Sequence, residues 1–136
     1  MMEIAPYLNF SGRCREAFEF YAATLGGRIE QMMTHGESPM KDQSPPELLD
    51  QIMHARLVVD GEAIMGSDAP LSQQAKPQGV WVSLHFDDLA RAERVFAALS
   101  EGGQVAMPFQ KTFWGSFGMT TDRFGTPWMI NSQPTA

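Results

Sequence analysis

Few side chains in this 136-residue sequence can transfer a proton or ligate a metal. There are three histidines, His35, His54 and His85, and a single cysteine, Cys14. His54 and Arg56 have the same strand parity and can face one side of a sheet, where an imidazole would titrate near neutral pH. They could transfer protons or bind an anion, but we favour the simpler interpretation that His54 and His85 are polar residues of a half-exposed sheet.

The remaining reactive groups carry little indication of catalysis. Cys14 lies on the apolar face of a predicted helix, where a neutral thiol is inert. His35 lies in a Gly/Ser/Pro-rich segment and is predicted to be a surface residue. The sequence has no G-x-S-x-G nucleophile motif, and no glycine-rich strand-to-helix loop that could hold a nucleotide-type cofactor.

The sequence contains two copies of the elements that position these residues. "LNFSGRCREAFEFYAATLGGRI" from Leu8 and "LHFDDLARAERVFAALSEGGQV" from Leu84 align without a gap at an offset of 76 (84 − 8). Each copy predicts a strand, a helix and a glycine stop. Ser11 would cap the first helix, Asp87 or Asp88 the second, and Gly26 and Gly102 would close them. The predicted apolar faces comprise Cys14, Phe18, Tyr21 and Leu25, and Leu89, Ala92, Val95, Phe96 and Leu99.

A second match, of "DGEAIM" with "FGTPWM", has an offset of 64 (129 − 65) and predicts a glycine hairpin turn in each half. The fold class is therefore α+β, with two tandem βαβββ modules. The predicted strands are Glu3–Phe10, Arg28–His35, Met53–Val59, Glu62–Ser67, Val80–Phe86, Gln104–Phe109, Ser116–Asp122 and Thr126–Asn131.

Strand alternation sorts the side chains of the first strand in each module. Val82, Leu84 and Phe86 would pack under the helix, so Trp81, Ser83 and His85 would lie on the other face. At the same offset, the first module places Ala5, Tyr7 and Asn9 there. A face that mixes aromatic and polar residues implies a cleft and not a second dry core.

Taken together, these features resemble a known family. The duplicated module, "FEFY" and "D-x-F-G-x-x-W-M-I-N" from Asp122 to Asn131 are similar to the vicinal-oxygen-chelate, or glyoxalase/bleomycin-resistance, superfamily. "PYLNF", "HARL", "FWGSFG" and "DRFGTPWMIN" resemble its PhnB-like branch, often labelled 3-demethylubiquinone methyltransferase-like. The resemblance implies one domain over residues 1–136, with half-modules at 1–68 and 79–133. It also implies a mixed sheet curled around a cleft, in a homodimer.

The superfamily's metal enzymes take four ligands, typically histidine and glutamate, from the first and fourth strands of each half. The resemblance puts those positions at Ala5, Met65, Trp81 and Met129. None of these side chains is a ligand for a hard divalent cation, and a shift by one residue does not restore one. We therefore predict no metal and no cofactor.

Large side chains at these positions can line a pocket for a flat or apolar ligand, or can simply fill the space of a lost metal site. The candidate cavity residues are Tyr7, Asn9, His54, Arg56, Met65, Trp81, Ser83, His85 and Met129. The segment Thr34–Gln51 is long enough to be a lid or a surface excursion, with a short helix beginning near Ser44 and Pro45 or Pro46.

The amino-acid composition indicates which binding partners and which cell compartment to expect. The formal charge is −6 and no Lys/Arg cluster is present, which disfavours nucleic acid. One cysteine, no signal-peptide pattern and no apolar run of about 20 residues predict a cytoplasmic protein without a membrane partner. Three functions stay open: a metal-free small-molecule-binding protein, an enzyme using a divalent metal or His54, His85, Tyr7 and Arg56, and a structural or regulatory dimer with a vestigial cleft.

Overall fold

The computed structural model describes residues 1–69 and 77–133. The chain divides into two compact units, Met1–Ala75 and Lys76–Ala136. Each unit is one βαβββ module with an open, four-stranded mixed sheet. The predicted α+β class and the duplicated module are confirmed.

The first module has four strands and one α-helix. These are β1 (Tyr7–Phe10), α1 (Cys14–Leu25), β2 (Arg28–Thr34), β3 (Ile52–Val59) and β4 (Glu62–Asp68). The strand order is β1-β4-β3-β2, and only the β1–β4 pair is parallel. Between β2 and β3 the chain forms three short 3-10 helices, His35–Glu37, Lys41–Gln43 and Pro46–Leu48.

The second module repeats this arrangement. It consists of β5 (Val82–Phe86), α2 (Leu89–Ser100), β6 (Gln104–Lys111), β7 (Ser116–Thr121) and β8 (Pro127–Ser132), in the order β5-β8-β7-β6. The register between the first and fourth strands is also the same in both modules. Tyr7 pairs with Met65, and Ser83 pairs with Met129, which reproduces both sequence offsets.

The predicted strand boundaries are within two residues of the observed ones except at the start of β1. β1 begins at Tyr7 and not at Glu3, because Pro6 has no N–H with which to continue a ladder; its carbonyl still accepts from the Met65 N–H at 3.0 Å. β5 begins at Val82, two residues later than predicted.

The predicted cap of α1 is wrong. Ser11 lies three residues before the first helical residue, and no side chain caps the helix from the N-cap position, Arg13. Instead Asp68, at the end of β4, is buried and accepts from the Cys14 N–H at 3.0 Å and the Ile52 N–H at 2.9 Å. In α2 the prediction holds, because Asp88 accepts from the N–H groups of Ala90 and Arg91.

The helix faces form the core as predicted, with one exception. Cys14, Phe18, Tyr21, Leu25, Ala92, Val95, Phe96 and Leu99 are all buried. Leu89 was expected to be buried but is 47% exposed, because it is the first residue of α2 and precedes the turn that contacts the sheet. Trp128 and Ile130 of β8 are fully buried in the core of the second module, where β8 contacts α2.

The predicted glycine turns take two forms. Asp60 and Gly61 both have positive φ, 50° and 81°, and form a two-residue turn between β3 and β4. Gly125 has φ 94° but lies in a five-residue connection, where its N–H donates to the Asp122 carbonyl at 3.0 Å. Within the described ranges, no helix has the length and apolar character that crossing a membrane requires.

Candidate functional site

Each module has one sheet face opposite its helix, which we call its open face. In β3, Ala55 and Leu57 are buried under α1, whereas His54 and Arg56 are partly exposed on the open face. Met65 shares that face, because its register partners are Tyr7 and Arg56. Asn9 lies one pleat beyond Tyr7 and is exposed. The first module therefore brings its candidate cavity residues to one surface.

Tyr7 and His54 are near neighbours on this surface. Their ring centroids are 6.1 Å apart, with 31° between the ring planes. Tyr7 is 47% exposed, so its aromatic face is available for contact. Together with the Met65 thioether, these rings form a surface that suits a flat ligand better than a hydrated ion.

Arg56 is already held by two carboxylates. Both Nη atoms donate to Glu3 at 2.8 Å, and Nε lies 3.3 Å from Glu30 Oε1. The hydrogen bond from Arg56 holds the pKa of Glu3 below its usual value, and the Glu3 contact raises the pKa of Arg56. An anion that binds Arg56 must therefore displace Glu3.

Sequence reasoning missed these partners of Arg56. Glu30 lies on the open face by alternation from Ile29, which pairs with the buried Leu57, but it is not among the residues that the sequence singled out. Glu3 lies outside any strand, so its position has no periodic signal.

The open face of the second module has no acidic side chain and no Lys or Arg among the pairs that β5 forms with β8. Ser83 pairs with Met129, and His85 pairs with Asn131, whose Nδ2 donates to Ser83 Oγ at 3.3 Å. Ser83 and His85 are exposed, while Val82 and Leu84 are partly buried and Phe86 is buried. This alternation matches the predicted sorting of faces.

A pocket of about 340 Å³ lies at one end of this face. Trp81, Pro127 and Thr121 line it from the sheet side, and the segment leading into β5 borders it. The remaining lining residues are Pro77, Gln78, Gly79, Val80 and Gly125. Ala5, the counterpart of Trp81 in the first module, is partly buried just before β1.

The predicted surface position of His35 holds only in part, because the residue is partly exposed but one ring nitrogen is buried. That nitrogen, Nε2, has no hydrogen-bond partner among residues 1–69 and 77–133. The backbone of His35 pairs with Gln51, and Thr34 and Glu37 form a capping box at the start of the His35–Glu37 turn. The short helix predicted near Pro45 and Pro46 is a 3-10 turn, Pro46–Leu48. Whether this segment is a lid stays a prediction.

Cys14 is the inert thiol that the sequence indicates. It is fully buried, and desolvation raises its pKa to about 12. A thiol with so high a pKa has almost no thiolate at neutral pH. Cys14 therefore offers neither a nucleophile nor a ready metal ligand.

The donor set does not fit a hard divalent cation. Met65 and Met129 offer thioethers, and Ala5 and Trp81 offer no ligand atom at all. In the two described stretches, no group of three or more His, Cys, Asp or Glu side chains is placed to hold an ion. We therefore derive no chemistry through such a metal.

A nucleotide-type methyl donor fits no better. Such cofactors sit on glycine-rich turns between a strand and a helix. Here β1 connects to α1 through Ser11, Gly12 and Arg13, and β5 connects to α2 through Asp87 and Asp88 alone. The latter turn places two carboxylates where a phosphate would bind.

Two open-faced βαβββ modules in tandem define the glyoxalase/bleomycin-resistance fold. The fosfomycin resistance protein FosX from Listeria monocytogenes has this fold with a TM-score of 0.64 and 8% identity, covering 99% of this chain and 94% of FosX. At that identity the likeness concerns the fold alone. The fold that the superfamily resemblance implies is confirmed.

More similar proteins define the family. A family model described as 3-demethylubiquinone-9 3-methyltransferase matches residues 2–131. Protein YjdN of Escherichia coli (strain K12) is 36% identical over 146 residues, covering 98% of this chain and 99% of YjdN. The crystal structure of protein PA1353 from Pseudomonas aeruginosa has a TM-score of 0.90 and 48% identity, covering 99% of this chain and all of that one. The chain belongs to this family, the PhnB-like branch that its motifs indicate.

Proposed function

We propose that the protein binds a small, flat and largely apolar molecule without the help of a divalent metal. The observation that carries this proposal is the pocket of about 340 Å³ beside Trp81 on the second module. Its volume falls within the range of about 300–1,000 Å³ that is usual for small-molecule sites. An indole beside two prolines favours stacking and dispersion contacts over ion recognition.

The first module supports the same class of ligand. Tyr7 and His54 present two rings at 6.1 Å, with Met65 as their neighbour in the sheet. Thioethers adapt to irregular apolar shapes at little cost. The donor-poor residues at Ala5, Met65, Trp81 and Met129 support binding that does not depend on a divalent ion.

The family description names a methyl transfer, which these residues do not favour. The short connections after β1 and β5 lack the glycine-rich turn that would hold a nucleotide-type donor. An enzyme that uses His54 and Tyr7 is the alternative activity, and their contact is the observation in its favour. Turnover of a bound ligand in the absence of added metal would support it.

We further propose a cytoplasmic homodimer. The single, buried cysteine is suited to a reducing compartment. Exposed apolar side chains such as Phe113 and Val80, 97% and 70% exposed, favour a partner surface. Size-exclusion chromatography with light scattering at micromolar concentration should give twice the chain mass, and a monomer would contradict the dimer.

A ligand screen by thermal shift tests the binding proposal. Chelator-treated protein is heated with planar aromatic and organophosphorus compounds, and binders should raise the melting temperature. Trp81→Ala should remove that shift. Trp114→Ala is the matched control, because Trp114 is also partly exposed but does not line the pocket. A screen without any hit, or equal shifts in wild type and Trp81→Ala, would refute the proposal.

A further inference from the structure

Three methionines stand directly opposite one another on adjacent strands of the second module. Met129 of β8 pairs with Met119 of β7, and Met119 pairs with Met107 of β6. Side chains of directly opposed residues have Cβ atoms about 5 Å apart on one face of a sheet. The three thioethers therefore form a continuous row, which we call the methionine row.

The row lies on the open face and can be reached from solvent. Gly118 and Thr120, which flank Met119 in β7, are buried on the helix side, so Met119 points away from α2. Met107 is 41% exposed. Register shifts occur on both sides of Met107 in β6, and bulges of this kind re-aim a side chain.

The chemistry of the row is that of a soft-metal ligand set. A thioether sulfur is a neutral, polarisable donor that binds Cu⁺ and does not compete for hard divalent cations. Three rotatable bonds in each side chain let the sulfurs converge on one ion. The neighbouring register partners are Ser83, Asn131 and Phe117, all uncharged, and the chain has a net charge of −6.

We propose that Met107, Met119 and Met129 form a binding site for one soft monovalent cation of the Cu⁺ class. This site shares Met129 with the positions that fit no hard divalent cation, but it takes its other two donors, Met107 and Met119, from β6 and β7. It does not depend on the organic ligand of the proposed function.

The first module provides an internal comparison. Met65 occupies the position in β4 that Met129 occupies in β8, but its strand partners are Tyr7 and Arg56. Arg56 Nη1 lies 3.6 Å from Met65 Sδ. A guanidinium at that distance repels a cation, so only the second module should bind one.

Titration with Ag⁺, a redox-stable analogue of Cu⁺, tests the site. The ten methionines are labelled at the ε-methyl carbon and followed residue by residue by NMR. The signals of Met107, Met119 and Met129 should move together and saturate at one Ag⁺ per chain. Cys14→Ala should give the same result, since the buried thiol lies outside the site.

Two conservative variants give the control. Met119→Leu preserves apolar volume and should weaken Ag⁺ binding at least tenfold, whereas Met65→Leu should leave it unchanged. Shifts spread evenly over all methionines, or equal affinity in wild type and Met119→Leu, would overturn the proposal. Because Met119 does not line the Trp81 pocket, loss of Ag⁺ binding with retained thermal shifts from aromatic compounds separates this site from the proposed function.

Discussion

Contacts between single residues determine which charged groups of the open face can bind a ligand. Arg56 carries a positive charge on its module's open face, and its donors are engaged by Glu3 and Glu30. The guanidinium therefore anchors the N-terminal segment through Glu3. It can bind an external anion only after Glu3 has been displaced. Exposed ion pairs of this kind contribute little to stability, because water screens them.

The Glu3–Arg56 pair gives a pH-dependent prediction. Its contact lowers the pKa of Glu3 from an unfolded value of 4.5, so the stabilisation is present above that pH. It is lost as pH falls through the lowered pKa of the folded state. In urea unfolding, Glu3→Gln should be less stable than wild type at about pH 7 and equal to it at about pH 2. A difference that persists at the acidic pH would contradict the assignment, and Glu47→Gln serves as the exposed control.

At the residue scale, sequence reasoning succeeded where a local rule decides. Helical periodicity placed Cys14 in the core, and strand parity placed His54 and Arg56 on one face. It failed for Asp68, whose contact with Cys14 joins residues far apart in the chain. For His35 it succeeded only in part, because the residue is partly exposed while its ring atom Nε2 is buried.

At the scale of elements, the two helices begin in different ways. In α2 the cap is local, because Asp88 accepts from the Ala90 and Arg91 N–H groups. In α1 the equivalent contact comes from Asp68 in another strand. Both copies of the sequence repeat therefore form a helix, but the side chain that caps the helix N-terminus differs between them.

Cap variants test this difference. Asp88→Ala should destabilise the protein by about 1 kcal/mol, the usual cost of losing an N-cap side chain. Ser11→Ala should change the free energy of unfolding by less than about 0.5 kcal/mol, as for ordinary surface positions. Both are measured by urea unfolding. A loss in Ser11→Ala as large as that in Asp88→Ala would show that Ser11 does cap α1.

Strand boundaries were predictable to within a few residues because the hairpin turns are encoded locally. Asp60 and Gly61 supply the positive φ that a two-residue turn needs. The bulges in β2 and β6 were not predictable, since they depend on the partner strand. The bulge in β6 brings Met107 to the open face opposite Met119, so a feature that the sequence does not reveal shapes that surface.

At the scale of the whole molecule, the sequence offsets of 76 and 64 were sufficient to predict two βαβββ modules, and the strand register repeats between them. The family resemblance, helped by the same offsets, located the donor-poor positions Met65 and Met129. The identity of the ligand, in contrast, does not follow from the sequence offsets. A pocket lined by Trp81, Pro127 and Thr121 selects chiefly by shape and apolar contact, and residue types alone do not specify a shape.

The central claim is that the pocket beside Trp81 binds an aromatic ligand without a divalent metal. The chain has three tryptophans, of which Trp128 is fully buried, so their indole N–H signals in a ¹⁵N spectrum report on different places. Chelator-treated protein is titrated with the strongest aromatic binder from the thermal-shift screen. We expect the Trp81 signal to move saturably while those of Trp114 and Trp128 stay in place. An unmoved Trp81 signal, or binding that appears only after Zn²⁺, Ni²⁺ or Mn²⁺ is added, would contradict the claim.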